Sequence, residues 1–144
     1  MSKSGHIVVD DELTIHFEES GDGQNAILLV PGWTMSTRVF ERQLEYFENS
    51  RQFRFITLDP RAHGLSSKTH DGHFYEQHGR DLNDFVNAME LEKFVIGGWS
   101  FGTLAVLSYL EQYGADKISG LIMLDGPPRA AGPDNVNDLS LIHI

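Results

Sequence analysis

The stretch GGWSFGTLAV, Gly97 to Val106, decides the fold. A lone serine, Ser100, stands two residues after Gly98 and two before Gly102. The pattern G-x-S-x-G matches many loops by chance and carries meaning only between a strand and a helix. Ahead of it, KFVIGG (Lys93 to Gly98) is a β-branched and aromatic run of the kind that fills a buried parallel strand. Behind it, FGTLAVLSYLEQYG places Leu104, Leu107 and Leu110 at helical spacing and ends on Gly114, a helix stop. A serine at so sharp a turn takes a strained backbone, so Gly98 and Gly102 relieve clashes where strand and helix approach. Such a turn lifts Ser100 Oγ above the sheet edge and brings the unpaired N–H groups of a helix N-terminus beside a developing negative charge. The bland alternative is a serine that only caps a buried helix.

Working outward, HIVVD (residues 6–10) and LTIHF (13–17) alternate enough to pair as a hairpin over Asp11-Glu12. AILLV (26–30) is a continuous apolar run and reads as a central strand. After the loop PGWTMST comes a helix with Val39, Phe40, Leu44 and Phe47 on one face. FRFITL (53–58) is the next strand, and the loop DPRAHGLSSKTHDGH follows it. Tyr75, His78, Leu82, Phe85, Val86 and Met89 then mark a second helix, and ISGLIML (118–124) is the strand after the serine's helix. Strands alternating with helices after an initial hairpin predict a mostly parallel sheet with right-handed crossovers. Ligands on such a sheet gather at the carboxyl ends of the strands, where the loops of Trp33, Asp59 to Ser67, Ser100 and Asp125 fall.

Composition narrows the function. The chain has 144 residues, no cysteine and a formal charge of −10, with scattered basic residues. That argues against a nucleic-acid surface and disfavours an anionic substrate. With no apolar run long enough to span a membrane and no basic-plus-apolar leader, the expectation is a cytoplasmic protein that engages no membrane. The final LSLIHI (139–144) is the translation of CTG TCT CTT ATA CAC ATC, a transposase mosaic-end adapter used in sequencing libraries. The expected organisation is therefore residues 1–138 as the N-terminal part of a single domain and 139–144 as adapter.

Four motifs coincide in order and spacing: LLVPGW, DPRAHGLSS, GGWSFG and LIMLDGPP. Together they resemble the α/β-hydrolase superfamily, in particular the haloperoxidase-like esterases and perhydrolases. The resemblance implies an α/β-hydrolase fold truncated after about the sixth strand. It implies a Ser-His-Asp hydrolase whose nucleophile is Ser100, with an oxyanion hole made by the backbone N–H groups of Trp33 and Phe101. Pro31-Gly32 stands where many members carry His-Gly, which leaves the backbone donor of Trp33 untouched. The family's chain order is nucleophile, acid, histidine. After Ser100 the only histidine is His143, inside the adapter string, so the expected base is missing. Most relatives place the acid beyond the strand that ends at Asp125, and some use the end of this strand. Asp125 is a candidate acid, weighed against a loop-ordering role before Pro127-Pro128.

Among the histidines ahead of Ser100, only His63, in the loop at the catalytic edge, is expected to come near it. It is either a stand-in base or a loop residue bonded locally, and His78 reads as packed on its helix. Asp59 and Arg61 read as an ion pair or as turn bonds. The leading reading is hydrolysis of a small carboxylic ester through an acyl-serine intermediate, weak or absent in this chain for want of the base. No cofactor and no metal are called for. Perhydrolysis at the same site, with metal-free halide oxidation, is the nearest alternative. Dehalogenase and epoxide-hydrolase chemistries need a carboxylate nucleophile, which Ser100 is not. A non-catalytic receptor or inert scaffold is the alternative from another class.

Overall fold

A computed structural model describes residues 2–126. The proline-rich segment from Pro127, the LSLIHI string and His143 lie outside the described residues. The elements run β1 (Lys3–Val8), β2 (Thr14–Ser20), β3 (Asn25–Val30), a 3-10 turn (Thr37–Phe40), α1 (Glu41–Phe47), β4 (Phe53–Leu58), α2 (Tyr75–Ala88), β5 (Phe94–Trp99), α3 (Phe101–Tyr113) and β6 (Ile118–Leu124). They form one six-stranded sheet in the order β1-β2-β4-β3-β5-β6. The β1–β2 and β2–β4 pairs are antiparallel, and β4, β3, β5 and β6 run parallel. This is the α/β-hydrolase arrangement, a mostly parallel sheet with an N-terminal antiparallel hairpin.

Continuous apolar runs form the central strands because both sheet faces are covered, and the pleat sends alternate residues to opposite sides. Leu28, Val30, Ile56, Leu58, Phe94 and Ile96 join one core with Phe85 and Val86 of α2 and Phe101, Leu104 and Val106 of α3. Leu29 and Phe55 face the other way and pack with Phe40 and Leu44 at α1. At Val39 the structure departs from the periodicity. The segment before α1 is a 3-10 turn, whose tighter winding rotates Val39 out, 37% exposed, while Phe40 beside it is buried. Leu107 and Leu110 are only half-buried, because α3 is enclosed nearly all round and Ala105, Val106 and Tyr109 share its core face.

The hairpin tip rests on the loop after β4. Asp59 N–H donates to His16 O at 2.9 Å, Ser67 N–H to Thr14 O at 2.9 Å, and His16 N–H to Ser66 Oγ at 2.9 Å. At the other side of the sheet β6 is the last strand among the described residues, and Leu121, Met123 and Leu124 are 40–45% exposed there. No helix among the described residues is long and apolar enough to cross a membrane.

Candidate active site

Ser100 joins β5 directly to α3 with φ 53° and ψ −118°, backbone angles that a side-chain-bearing residue adopts only under constraint. Its N–H donates to Leu124 O at 2.8 Å, and its own carbonyl accepts Thr103 N–H at 3.0 Å. Ser100 occupies the N-cap position of α3 yet makes no side-chain cap hydrogen bond. The capping reading therefore fails, and the hydroxyl is not committed to the helix.

Glycine is obligatory around this turn for space. A Cβ on Gly98 would fall on the backbone of Gly102 and Thr103, and a Cβ on Gly102 would fall on the carbonyl of Val30. The same tightness brings the loop after β3 over the serine. An ideal Cβ at Gly32 would lie 3.6 Å from Ser100 Cβ and 3.3 Å from the Trp99 ring. Met35 N–H closes a turn on Gly32 O at 3.1 Å, with Thr34 in the left-handed region at φ 63°. Trp33, next to Gly32, is half-buried, and Phe101 is buried as the first residue of α3. Their rings meet edge to face at 5.3 Å, so the two residues expected to carry the oxyanion donors touch.

Asp125 follows β6, whose Leu124 pairs with Trp99, and so stands beside Ser100 at the strand ends. It is exposed, with φ 48°. Gly126 after it turns back onto the first turn of α3: a Cβ there would meet the Thr103 side chain and lie 3.0 Å from Ser100 O.

His63 is buried, and its Nδ1–H donates to Arg61 O at 2.8 Å, a local bond. Burial holds its pKa below the ordinary 6.5. His78 lies in α2 against the Phe101 ring, edge to face at 4.9 Å, and its Nε2 has no hydrogen-bond partner. Burial, reinforced by the Arg61 charge, pushes its pKa down to about 3, so it is a neutral core ring.

The loop after β4 is held by two separate polar networks. Asp59 accepts Thr37 N–H at 2.6 Å, Leu65 N–H at 2.8 Å and His16 Nδ1–H at 3.0 Å. Its bonds are therefore turn bonds, and Arg61 pairs elsewhere: Nε and Nη2 donate to the two oxygens of Asp81 at 2.7 and 2.8 Å. Gln77 Nε2 donates to the same carboxylate at 3.0 Å. The sequence reading missed Asp81. The available signal was an acidic residue within the apolar face of α2, between His78 and Leu82, where a charge persists only beside a buried cation. Among the described residues no group of three His, Cys, Asp or Glu side chains could hold a metal ion.

The sequence profile of the alpha/beta hydrolase fold matches residues 25–141. The serine hydrolase BPHL of Homo sapiens is 30% identical over 103 residues, 69% of this chain and 35% of that protein. The crystal structure of bromoperoxidase from Bacillus anthracis superposes with a TM-score of 0.81 at 26% identity, covering 98% of this chain and 52% of that one. A thermophilic esterase from Thermogutta terrifontis gives a TM-score of 0.80 at 27% identity over 92% of this chain and 48% of that one. The chain spans about half the length, or less, of the curated relatives it matches.

Proposed function

This chain belongs to the alpha/beta hydrolase fold family, and on that premise we propose that it carries the nucleophile and oxyanion hole of a serine hydrolase acting on a small carboxylic ester. The observation that carries the reading is Ser100 itself, held at φ 53° between β5 and α3 with a hydroxyl that caps nothing. Strain of this kind is retained where surrounding structure over-determines it, and it clusters at functional sites.

In the proposed reaction Ser100 Oγ attacks the ester carbonyl and its proton leaves to a base. The backbone N–H groups of Trp33 and Phe101 receive the oxyanion. Fixed donors in a water-poor site are worth about 10²- to 10³-fold each in rate. The positive end of α3 adds to them. The tetrahedral intermediate collapses with loss of the alcohol, and water then releases the acid from the acyl-serine. A high-pKa hydroxyl needs an adjacent base for turnover. His143 is the sole histidine after Ser100 in this sequence, so we assign this chain acylation that is slow for want of an adjacent base. Asp125 remains the candidate acid by its place beside Ser100, and Gly98 and Gly102 form the elbow.

The likeness to a bromoperoxidase supports a second reading at the same serine, perhydrolysis, in which peroxide replaces water and the peracid oxidises halide. A fluorophosphonate tests the common step, because Oγ displaces fluoride and leaves a stable Oγ–P bond. Slow labelling that reaches one phosphonate per chain and disappears in Ser100→Ala is the expected result. Absence of labelling in the unmodified chain, under conditions where it is folded, would favour the receptor or scaffold reading. Peroxide-dependent bromination in acetate separates perhydrolase from esterase.

A further inference from the structure

Three rings meet at the carboxyl edge, each from a different strand-to-helix loop. Trp33 comes from the loop after β3, His63 from the loop after β4, and Phe101 from the turn after β5. Trp33 meets His63 at 5.2 Å and 78°, and Phe101 at 5.3 Å and 79°. His63 lies parallel to Phe101, 2° between planes, at 6.2 Å. Two rings in contact can slide past one another. Three in mutual contact form a closed figure, in which moving one loop disturbs both others.

We propose that His63 is a positioning residue, the middle ring of a brace that fixes the spacing between the Trp33 and Phe101 backbone N–H groups; this role rests on the Ser100 hydrolase reading. The imidazole is anchored by a hydrogen bond at its outer end. Its Nδ1–H is held by Arg61 O at 2.8 Å, and Arg61 is locked to α2 through both oxygens of Asp81 at 2.7 and 2.8 Å. Arg61 Nη1 also donates to Asp71 O at 3.2 Å. Force on the brace therefore passes to a helix. His78 closes the far side of Phe101 at 4.9 Å, so that ring is gripped from the helix side as well.

A phenylalanine in place of His63 would keep the flat ring and lose the anchor, whereas an alanine would lose both. Burial keeps His63 neutral near pH 7, helped by His73 and Lys68 and opposed by the bond to Arg61 O and the Asp59 charge, which suits a ring stacked on Phe101. With Nδ1–H committed to a carbonyl, Nε2 carries the lone pair that a base would use. That makes the stand-in base the competing role, and ring replacement distinguishes the two. A base cannot be replaced by phenylalanine. A brace largely can.

The experiment compares His63→Ala and His63→Phe with the unmodified 144-residue chain. Fluorophosphonate labelling of Ser100 at a series of concentrations separates the maximal rate from the half-saturating concentration. Near-UV circular dichroism reads the Trp33 environment, assigned with Trp33→Phe, and far-UV spectra verify that each variant is folded. The expected result for His63→Ala is a maximal rate lower on the order of tenfold, short of the ~100-fold that outright misplacement of reacting groups brings. The half-saturating concentration stays within about twofold, and the Trp33 near-UV signal collapses; a brace sets donor spacing and leaves ground-state binding alone. His63→Phe should recover the near-UV signal and bring the rate to within about threefold, since it restores ring packing.

A His63→Phe rate as low as that of His63→Ala would overturn the brace in favour of a base. Unchanged rates in both variants would overturn it outright. No labelling of the unmodified chain would remove the hydrolase reading and the positioning role with it. The near-UV comparison would then report separately whether the three rings are coupled.

Discussion

At the amino ends of the parallel strands the sharp backbone turns are made mostly by glycine: Gly21 (φ 81°) ahead of β3 and Gly114 (φ 78°) ahead of β6, with Glu90 (φ 53°) ahead of β5. At the carboxyl ends each parallel strand is followed by a residue with a side chain in the same unfavourable region. These are Thr34 (63°), Ala62 (63°), Ser100 (53°) and Asp125 (48°). The hairpin tip, on the same edge, adds Glu12 (66°). A left-handed residue with a Cβ costs roughly 1–2 kcal/mol relative to a relaxed backbone. Glycine takes this region on both edges, with Gly64 (45°) and Gly72 (77°) in the loop after β4, but the residues that carry a side chain there stand mostly on the edge that holds Ser100. Asp59, Arg61, His63, Ser66, His78 and Asp81, six of the buried polar groups, lie in or under the loop after β4, while Glu19 and Ser20 are buried at the other end of β2.

The comparison breaks most visibly through Asp81. Asp81→Asn leaves the Arg61 guanidinium buried without its counter-charge, and the expected loss is about 3–5 kcal/mol in urea unfolding. A loss below about 1 kcal/mol would mean that the loop after β4 is not held from α2. Gly102→Ala tests close approach at the elbow. With the new methyl driven onto the Val30 carbonyl, the expected destabilisation is about 3 kcal/mol, and a Ser100 labelling rate that falls with it would show that the elbow and the serine move together.

Acid should weaken the carboxyl edge through His78. Its folded pKa of about 3 lies below the ordinary 6.5, so the unfolded chain takes up the proton first. Stability is therefore complete above about pH 6.5 and declines as pH falls toward about 3, by up to about 1.4 kcal/mol per pH unit. His63, also lowered by burial, acts in the same direction. Urea midpoints measured between pH 7 and 5 should fall, and His78→Phe should flatten the slope. An unchanged slope in that variant would place the acid sensitivity elsewhere.

The smallest effect sharpens the contrast of strain directly. Ala62→Gly should raise stability by about 0.5–1 kcal/mol, because glycine accepts φ 63° freely but loses more entropy on folding. Gly21→Ala, at the opposite edge, should destabilise, since its Cβ would meet the carbonyls of Phe53 and Phe47. Thermal midpoints that move the same way for both substitutions would end the distinction between the edges.

Much of this arrangement could be read along the chain. AILLV, FRFITL and KFVIGG became β3 to β5 because a central strand covered on both faces is largely apolar, a local property, and ISGLIML reads the same way although β6 leaves Leu121, Met123 and Leu124 40–45% exposed. Val39 escaped the helical period, since a 3-10 turn replaces the first turn of the helix, and its winding depends on how Phe40 seats against Phe55, 6.1 Å away. Asp59 and Arg61 were legible as structural residues. Their partners were not, because Asp81 lies 20 positions from Arg61 and His16 lies 43 from Asp59. Nothing in a local pattern chooses among several carboxylates at such separations.

The sequence by itself determined which segments are strands and helices, and that a serine stands between β5 and α3, because hydrophobic period and turn chemistry act over a few neighbouring residues. Only the tertiary structure decided that Gly32 lies over Ser100, that Asp81 holds Arg61, and that Trp33, His63 and Phe101 close on one another. Those contacts join loops from separate strands, and their geometry comes from the spacing and twist of the sheet that carries them.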